Sequence, residues 1–253
     1  MHGPAGGRRP FETRYALLRV TGTIFERVSG LDTFEPMQKF FHDAVEFVPI
    51  LLQGVWLTIV VTVGSLVLST VLGLVWALMR VSGIGFLVGL SASLINVIRG
   101  IPIIVLLFYI YFVMPDFGIA LSALQAAIIG LGIAYSAYQA ENFRAGIEAI
   151  DKGQIEAAQT IGMGWWLTMR RVVLPQAVRI ILPPYGNIMI MMLKDSSQAS
   201  TITVAELALQ GKLIASSTFK NTSVFTLVAL MYLTMSIPLI LLVRHFENKA
   251  NRK

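Results

Sequence analysis

The chain has no cysteine, which removes disulfide frameworks, thiolate metal sites and cysteine nucleophiles. Its three histidines, His2, His42 and His245, sit toward the two ends and leave little for imidazole chemistry or a zinc site. Charge is scarce throughout. Only 13% of the 253 residues are charged, 20 Lys and Arg with 14 Asp and Glu, against about 25% in an average soluble domain. Hydrophobic residues make up 55%, and the mean hydropathy is +0.71. So few charges would not keep a soluble chain of this length wetted. The net charge of +6 is dilute and scattered, which argues against nucleic acid as a partner. The apolar surface is expected to face lipid.

A membrane-crossing helix needs about 20 largely apolar residues, since the hydrocarbon core is about 30 Å thick and each residue rises about 1.5 Å. Phe47–Met79 runs 33 residues without a charge, Phe117–Ala140 runs 24 and Ser223–Val243 runs 21. Ile101–Pro115 is uncharged but covers only about 22 Å, so its span is expected to start near Phe86–Gly89 and to carry Asn96 and Arg99. A further span is expected from about Gln176 to Lys194, with Pro183 and Pro184 inside it. The fold class expected is therefore an all-α membrane protein with about five transmembrane helices. Arg80, Arg144, Lys152, Arg170 and Arg171 follow spans one and three, and Arg244, Lys249, Arg252 and Lys253 follow span five. The positive-inside rule then places the carboxyl end in the cytoplasm and the amino end outside. Residues 1–46 oppose this with Arg8, Arg9, Arg14, Arg19, Arg27 and Lys39, offset by six acids. No apolar run there is long enough for a signal peptide. Three regions follow: an extension over 1–46, partly disordered or interfacial, a membrane domain over 47–247, and a tail over 248–253. A short interfacial helix is expected over Phe34–Phe47.

Residues 142–175 form the most informative connection. Glu156-Ala157-Ala158, then Gly162, then Val172-x-Leu174-Pro175 predicts a short helix, a glycine turn, a second helix and a proline stop. Ala157 and Ala158 leave a flat surface, and Gly162 permits a turn closed to most residues. Trp165 and Trp166 are expected to pack on something, as interfacial anchors or as part of a docking element for a cytoplasmic partner.

This pattern resembles the EAA loop of ATP-binding-cassette import permeases, with Val172 where Ile is commonest. The flanking runs strengthen the likeness: Arg99-Gly100-Ile101-Pro102, Ala137-Tyr138-Gln139-Ala140-Glu141, Pro183-Pro184-x-Gly186-Asn187 and Lys194-Asp195-Ser196-Ser197. In this order they resemble the polar amino-acid branch, which includes histidine, glutamine and glutamate importers, although Ile101 replaces the usual Thr. The resemblance covers about residues 48–247 and implies the type I ABC importer permease fold in a bacterial inner membrane. It implies a second permease subunit, identical or a paralogue, two cytoplasmic ATPase subunits and an extracytoplasmic solute-binding protein that delivers an amino acid. The coupling residues it implies are Glu156, Ala157, Ala158, Gly162, Leu174 and Pro175. The chain has no Gly-x-x-x-x-Gly-Lys-Ser/Thr phosphate loop. It is therefore read as a transport subunit without its own ATPase or bound cofactor, with ATP hydrolysed by a partner.

Ionisable groups at membrane depth are functional candidates by default. Arg99 either snorkels to the headgroups or pairs with a carboxylate such as Glu141. Gly100 and Pro102 beside it, and Pro183-Pro184 with Gly186, are expected to break their helices and serve as hinges. A zwitterionic solute needs donors and acceptors, which Tyr138, Gln139, Glu141, Asn187, Lys194 and Asp195 supply. Glu141 and Asn187 are expected to line a cavity, while Lys194-Asp195 reads either as an ion pair at the outer interface or as part of the path. Met189, Met191 and Met192 read as ordinary packing. The connection 195–221 is expected to hold a short amphipathic helix on the outer surface or in the gate. The rival reading is an ion-coupled secondary amino-acid transporter. That would need carboxylates within the spans and matching broken helices in two halves, and Glu141 is the only marginal candidate.

Overall fold

A computed structural model describes residues 35–251; what the sequence suggests for the extension before residue 35 lies outside the described residues. Contacts divide the chain into two units, residues 1–46 and 47–253. The described residues are helical, in the order α1 Glu35–Val81, α2 Gly85–Gly100, α3 Ile103–Phe108, α4 Ala123–Glu148, α5 Lys152–Thr160, α6 Trp165–Thr168, α7 Leu174–Asp195, α8 Leu207–Thr218 and α9 Asn221–Asn251. The helix expected over 34–47 is no separate element, because α1 continues through Pro49 without a break.

Helix α1 shows how the sequence builds a bundle in lipid. Its buried positions include Leu51, Gly54, Thr58, Thr62, Ser65, Ser69, Gly73 and Ala77, while Leu52, Trp56, Val63, Val67, Val71 and Leu74 are exposed. Small and hydroxyl residues dominate the inward face, with Leu51 and Val61 among them, while most of the large apolar ones face outward. Lipid tails are as apolar as leucine, so close backbone approach, rather than burial of large side chains, holds such helices together. A Cβ at Gly73 would lie 2.6 Å from Gln139 Cβ, and one at Gly54 would lie 2.7 Å from Leu207 Cα. These positions seat α1 against α4 and α8. Thr58 and Thr62 return their hydroxyls to the Gly54 and Thr58 carbonyls at 3.0 and 2.7 Å, so their polarity costs little.

Helix α4 forms the centre. Ser122 and Gln125 cap it reciprocally: the Gln125 amide donates to Ser122 Oγ at 3.3 Å and the Ser122 amide to Gln125 Oε1 at 3.0 Å. Ala126, Leu131 and Tyr135 of α4 then join Val61, Leu107, Met192 and Ile202 in the main core.

Helices α1 and α9 are long and apolar enough to cross a membrane outright. The span expected over 86–115 is a bent pair, Gly85–Gly100 and Ile103–Phe117, turning by 98°. Ile101 and Pro102 between them are extended, with φ/ψ of −102°/129° and −57°/137°, as expected before and at a proline. Helices α4 and α7, of 26 and 22 residues, are long enough to cross, at about 1.5 Å per residue, but fall short of that apolarity because they carry the bundle's small and polar residues.

Two proline expectations are corrected. Pro175 does not stop a helix; a wide π turn, Met169–Val173, precedes it and α7 runs on from Leu174. Pro115 likewise follows a π turn, Tyr109–Val113. The wider turn makes room for a ring that lacks an N–H and would clash with the preceding turn. Pro183 and Pro184 do not interrupt α7. Neighbouring groups support the helix there: Asn142 Nδ2 donates to the Ile181 carbonyl at 3.4 Å, Tyr185 Oη bonds Thr70 Oγ1 at 2.8 Å, and the Tyr185 ring stacks on Phe143.

Candidate functional site: an exposed helical hairpin and a polar string across three helices

The connection between α4 and α7 folds as the expected hairpin. Asp151 caps α5, its Oδ1 accepting from the Gly153 amide at 2.7 Å. At the other end the Gly162 amide donates to the Gln159 carbonyl at 2.9 Å and the Met163 amide to the Ala158 carbonyl at 3.0 Å. This paired closure requires a left-handed residue, and Gly162 has φ +82°. The base is fixed by Ile150, Val173 and Ala177, packed with Ile147, Ile155 and Ile181, and by Gln176 Nε2 donating to Gln154 Oε1 at 2.6 Å.

Of the coupling residues, Glu156, Ala157, Gly162, Leu174 and Pro175 are exposed, whereas Ala158 is buried at 5%. Ala158 therefore faces inward rather than joining the presented surface. Trp165 and Trp166, expected to pack on something, remain 65% and 68% exposed, with Ile161 at 78% beside the turn. The hairpin thus presents a stable, apolar, uncovered tip.

The path residues separate into two groups. Asp195, Tyr138 and Arg99 belong to one string through α7, α4 and α2. Tyr135 Oη donates to Asp195 Oδ2 at 2.6 Å, the Tyr135 and Tyr138 rings are 5.9 Å apart, and the Arg99 guanidinium lies 5.4 Å from the Tyr138 ring centre. Arg99 does not pair with Glu141. Glu141 is held by Arg144 instead, which donates to it at 3.1 and 2.7 Å and also bonds Glu148. Those Glu141 hydrogen bonds raise the Arg144 pKa above its usual value. Lys194 and Asp195 form no ion pair among the described residues, because Asp195 turns inward to Tyr135 while Lys194 is exposed. Asn187 and Pro102 are also exposed. An apolar, partly open cavity of about 280 Å³ lies between α1, α7 and α9, lined by residues such as Thr62, Leu66, Met189, Leu193 and Met235, and neither Glu141 nor Asn187 borders it. Met191 is half exposed and Met192 belongs to the core.

A second polar centre is absent from the sequence reading. Glu206, fully buried, caps α8 and accepts from the Ala208 and Leu209 amides at 2.9 Å each and from Tyr232 Oη at 2.8 Å. The Leu207 amide donates to Thr58 Oγ1 at 3.2 Å. The expected amphipathic helix therefore exists as α8, but it is tied into the bundle through Leu207, Ile214 and Ala215 rather than lying on its surface. Helix starts are usually announced by Ser, Thr, Asp or Asn, so a Glu at this position gave no capping signal and only the packed structure reveals its role.

These features define a multi-pass helical membrane protein, with an uncovered hairpin and polar groups strung between helices. Residues 69–252 match the family described as binding-protein-dependent transport system inner membrane component, and the chain belongs to that family of inner-membrane permeases. It is 40% identical over 189 residues to the probable amino-acid ABC transporter permease protein YckA of Bacillus subtilis, covering 75% of this chain and 84% of that protein. It is 37% identical over 207 residues to the L-cystine transport system permease protein TcyB of Bacillus subtilis, covering 81% and 88%. Among solved structures, an amino acid ABC transporter with histidines superposes with a TM-score of 0.77 at 37% identity, over 83% of this chain and 98% of that one.

Proposed function

We propose that this chain is the permease subunit of an ATP-driven amino-acid importer. It forms, with a second permease copy or a paralogue, the path through the inner membrane. An extracytoplasmic binding protein delivers the amino acid, and two cytoplasmic ATPase subunits hydrolyse ATP and grip the hairpin. The observation that carries the reading is the hairpin tip: Gly162 at φ +82° locks the turn while Ile161, Trp165 and Trp166 stay uncovered. An apolar tip on a rigid base is suited to seat in a partner's cleft and to carry that partner's motion to α4 and α7. The named relatives, permeases of amino-acid transporters, support the choice of solute.

Gly162→Val tests the coupling role. A β-branched residue is strained at positive φ, so the turn should re-form elsewhere and shift the tip. In vesicles holding the whole complex, uptake should fall at least about tenfold while the ATPase no longer responds to loaded binding protein. Uptake and stimulated hydrolysis that both survive would remove the hairpin from the coupling route.

A further inference from the structure

Arg99 is placed oddly for a residue at a break in a spanning segment. It is the penultimate residue of α2, two residues before the bend at Ile101-Pro102. Its guanidinium rests on Tyr138, past the middle of the 26-residue α4. No hydrogen bond or ion pair reaches it among the described residues, and the nearest expected counter-ion, Glu141, is committed to Arg144. Arg99 is exposed, Tyr138 is 40% exposed, and the space beside Gly100 is open. An unpaired guanidinium within a spanning segment is costly, and such a residue marks a solute or ion pathway. The aromatic face holds it by cation–π attraction and leaves the N–H fork free, the geometry that takes a carboxylate by two parallel hydrogen bonds. Tyr138 is itself supported through Tyr135, which Asp195 anchors.

We infer that Arg99, seated on Tyr138, is an oxyanion-binding position of the permease path that takes the carboxylate of the transported solute. The inference rests on the importer reading above. Tyr138 is a positioning residue: it orients the guanidinium by its ring, and its hydroxyl is not required.

The test uses the permease–ATPase complex, first in vesicles with the binding protein to find which of the twenty radiolabelled L-amino acids the wild type takes up. Equilibrium dialysis of that amino acid onto the purified complex, without the binding protein, is then competed with the amine made by removing its carboxylate. Wild type should prefer the amino acid by about tenfold or more, since a guanidinium left unpaired penalises the amine. Arg99→Gln should bring the preference near unity, Arg99→Lys should keep part of it, Tyr138→Phe should keep it and Tyr138→Leu should lose it. Discrimination between acid and amine is a readout that a merely structural role would not move. A preference that persists in Arg99→Gln overturns the assignment, as does a preference lost in Tyr138→Phe. A phospholipid found by native mass spectrometry on wild type and missing from Arg99→Gln overturns it in favour of a lipid phosphate. Wild-type vesicles that take up no amino acid would instead overturn the importer reading beneath it.

Discussion

Glu206 carries high energetic stakes for a single side chain outside the hairpin and the polar string. Its buried carboxylate satisfies two amides at the start of α8 and the phenol of Tyr232. Glu206→Ala would leave all three donors without a partner in a dry site, at about 1–3 kcal/mol for each donor left unsatisfied. The expected result is a clear fall in the unfolding temperature of the purified subunit in detergent, with Glu206→Gln intermediate because it keeps one acceptor oxygen. Equal melting of wild type and Glu206→Ala would show that water or a lipid headgroup already serves those donors. At this scale the sequence was legible where geometry is local. Gly162 and Asp151 act within their own turn, so their spacing announces them. Of the two readings left open for Arg99, pairing with Glu141 is not the one formed, because charge suggests a pairing while only the packed helices decide it. Arg144, three residues from Glu141 on the same helix face, reaches that carboxylate first.

Among the elements, α1 and α7 carry most of the lesson. The 33-residue uncharged run in α1 announces a span, but not which face turns inward. The small-residue stripe that includes Gly54, Ser65 and Gly73 becomes meaningful only once α4 and α8 are seen against it. Gly73→Val should therefore disturb the α1–α4 crossing, since even its Cβ would fall 2.6 Å from Gln139 Cβ. The expected cost is about 1–3 kcal/mol from overpacking, read as a lower unfolding midpoint. Val71→Ala on the outward face should leave that midpoint nearly unchanged. If both substitutions behave alike, close approach at Gly73 is not what seats α1. Prolines were the least legible signal. Ile101-Pro102 bends the chain by 98° while Pro183-Pro184 does not interrupt α7. Local chemistry is similar in the two places, and the surroundings differ: Asn142, Phe143 and Thr70 brace α7 near its prolines, whereas the space at Gly100 is open.

On the scale of the whole molecule, a low charge count divides the chain into apolar spans, a charged hairpin and charged ends. The family could be read from the Glu156–Pro175 pattern and its flanks, because that pattern encodes a turn and a surface rather than a distant contact. The polar string from Arg99 to Asp195 could not, since it joins three helices far apart in sequence. Helix α4 is less apolar than a free-standing span, and half of its 26 residues are buried by neighbouring helices. This arrangement suits a subunit whose interior moves against neighbours while its long apolar helices α1 and α9 face the bilayer.

Solute uptake into sealed vesicles containing the permease, its ATPase subunits and the binding protein tests the central claim most directly. Radiolabelled amino acid should accumulate only with ATP on the ATPase side and loaded binding protein on the other, and it should be indifferent to collapse of proton and sodium gradients. Accumulation that an ion gradient drives without ATP or binding protein would contradict the account and restore the secondary-transporter reading.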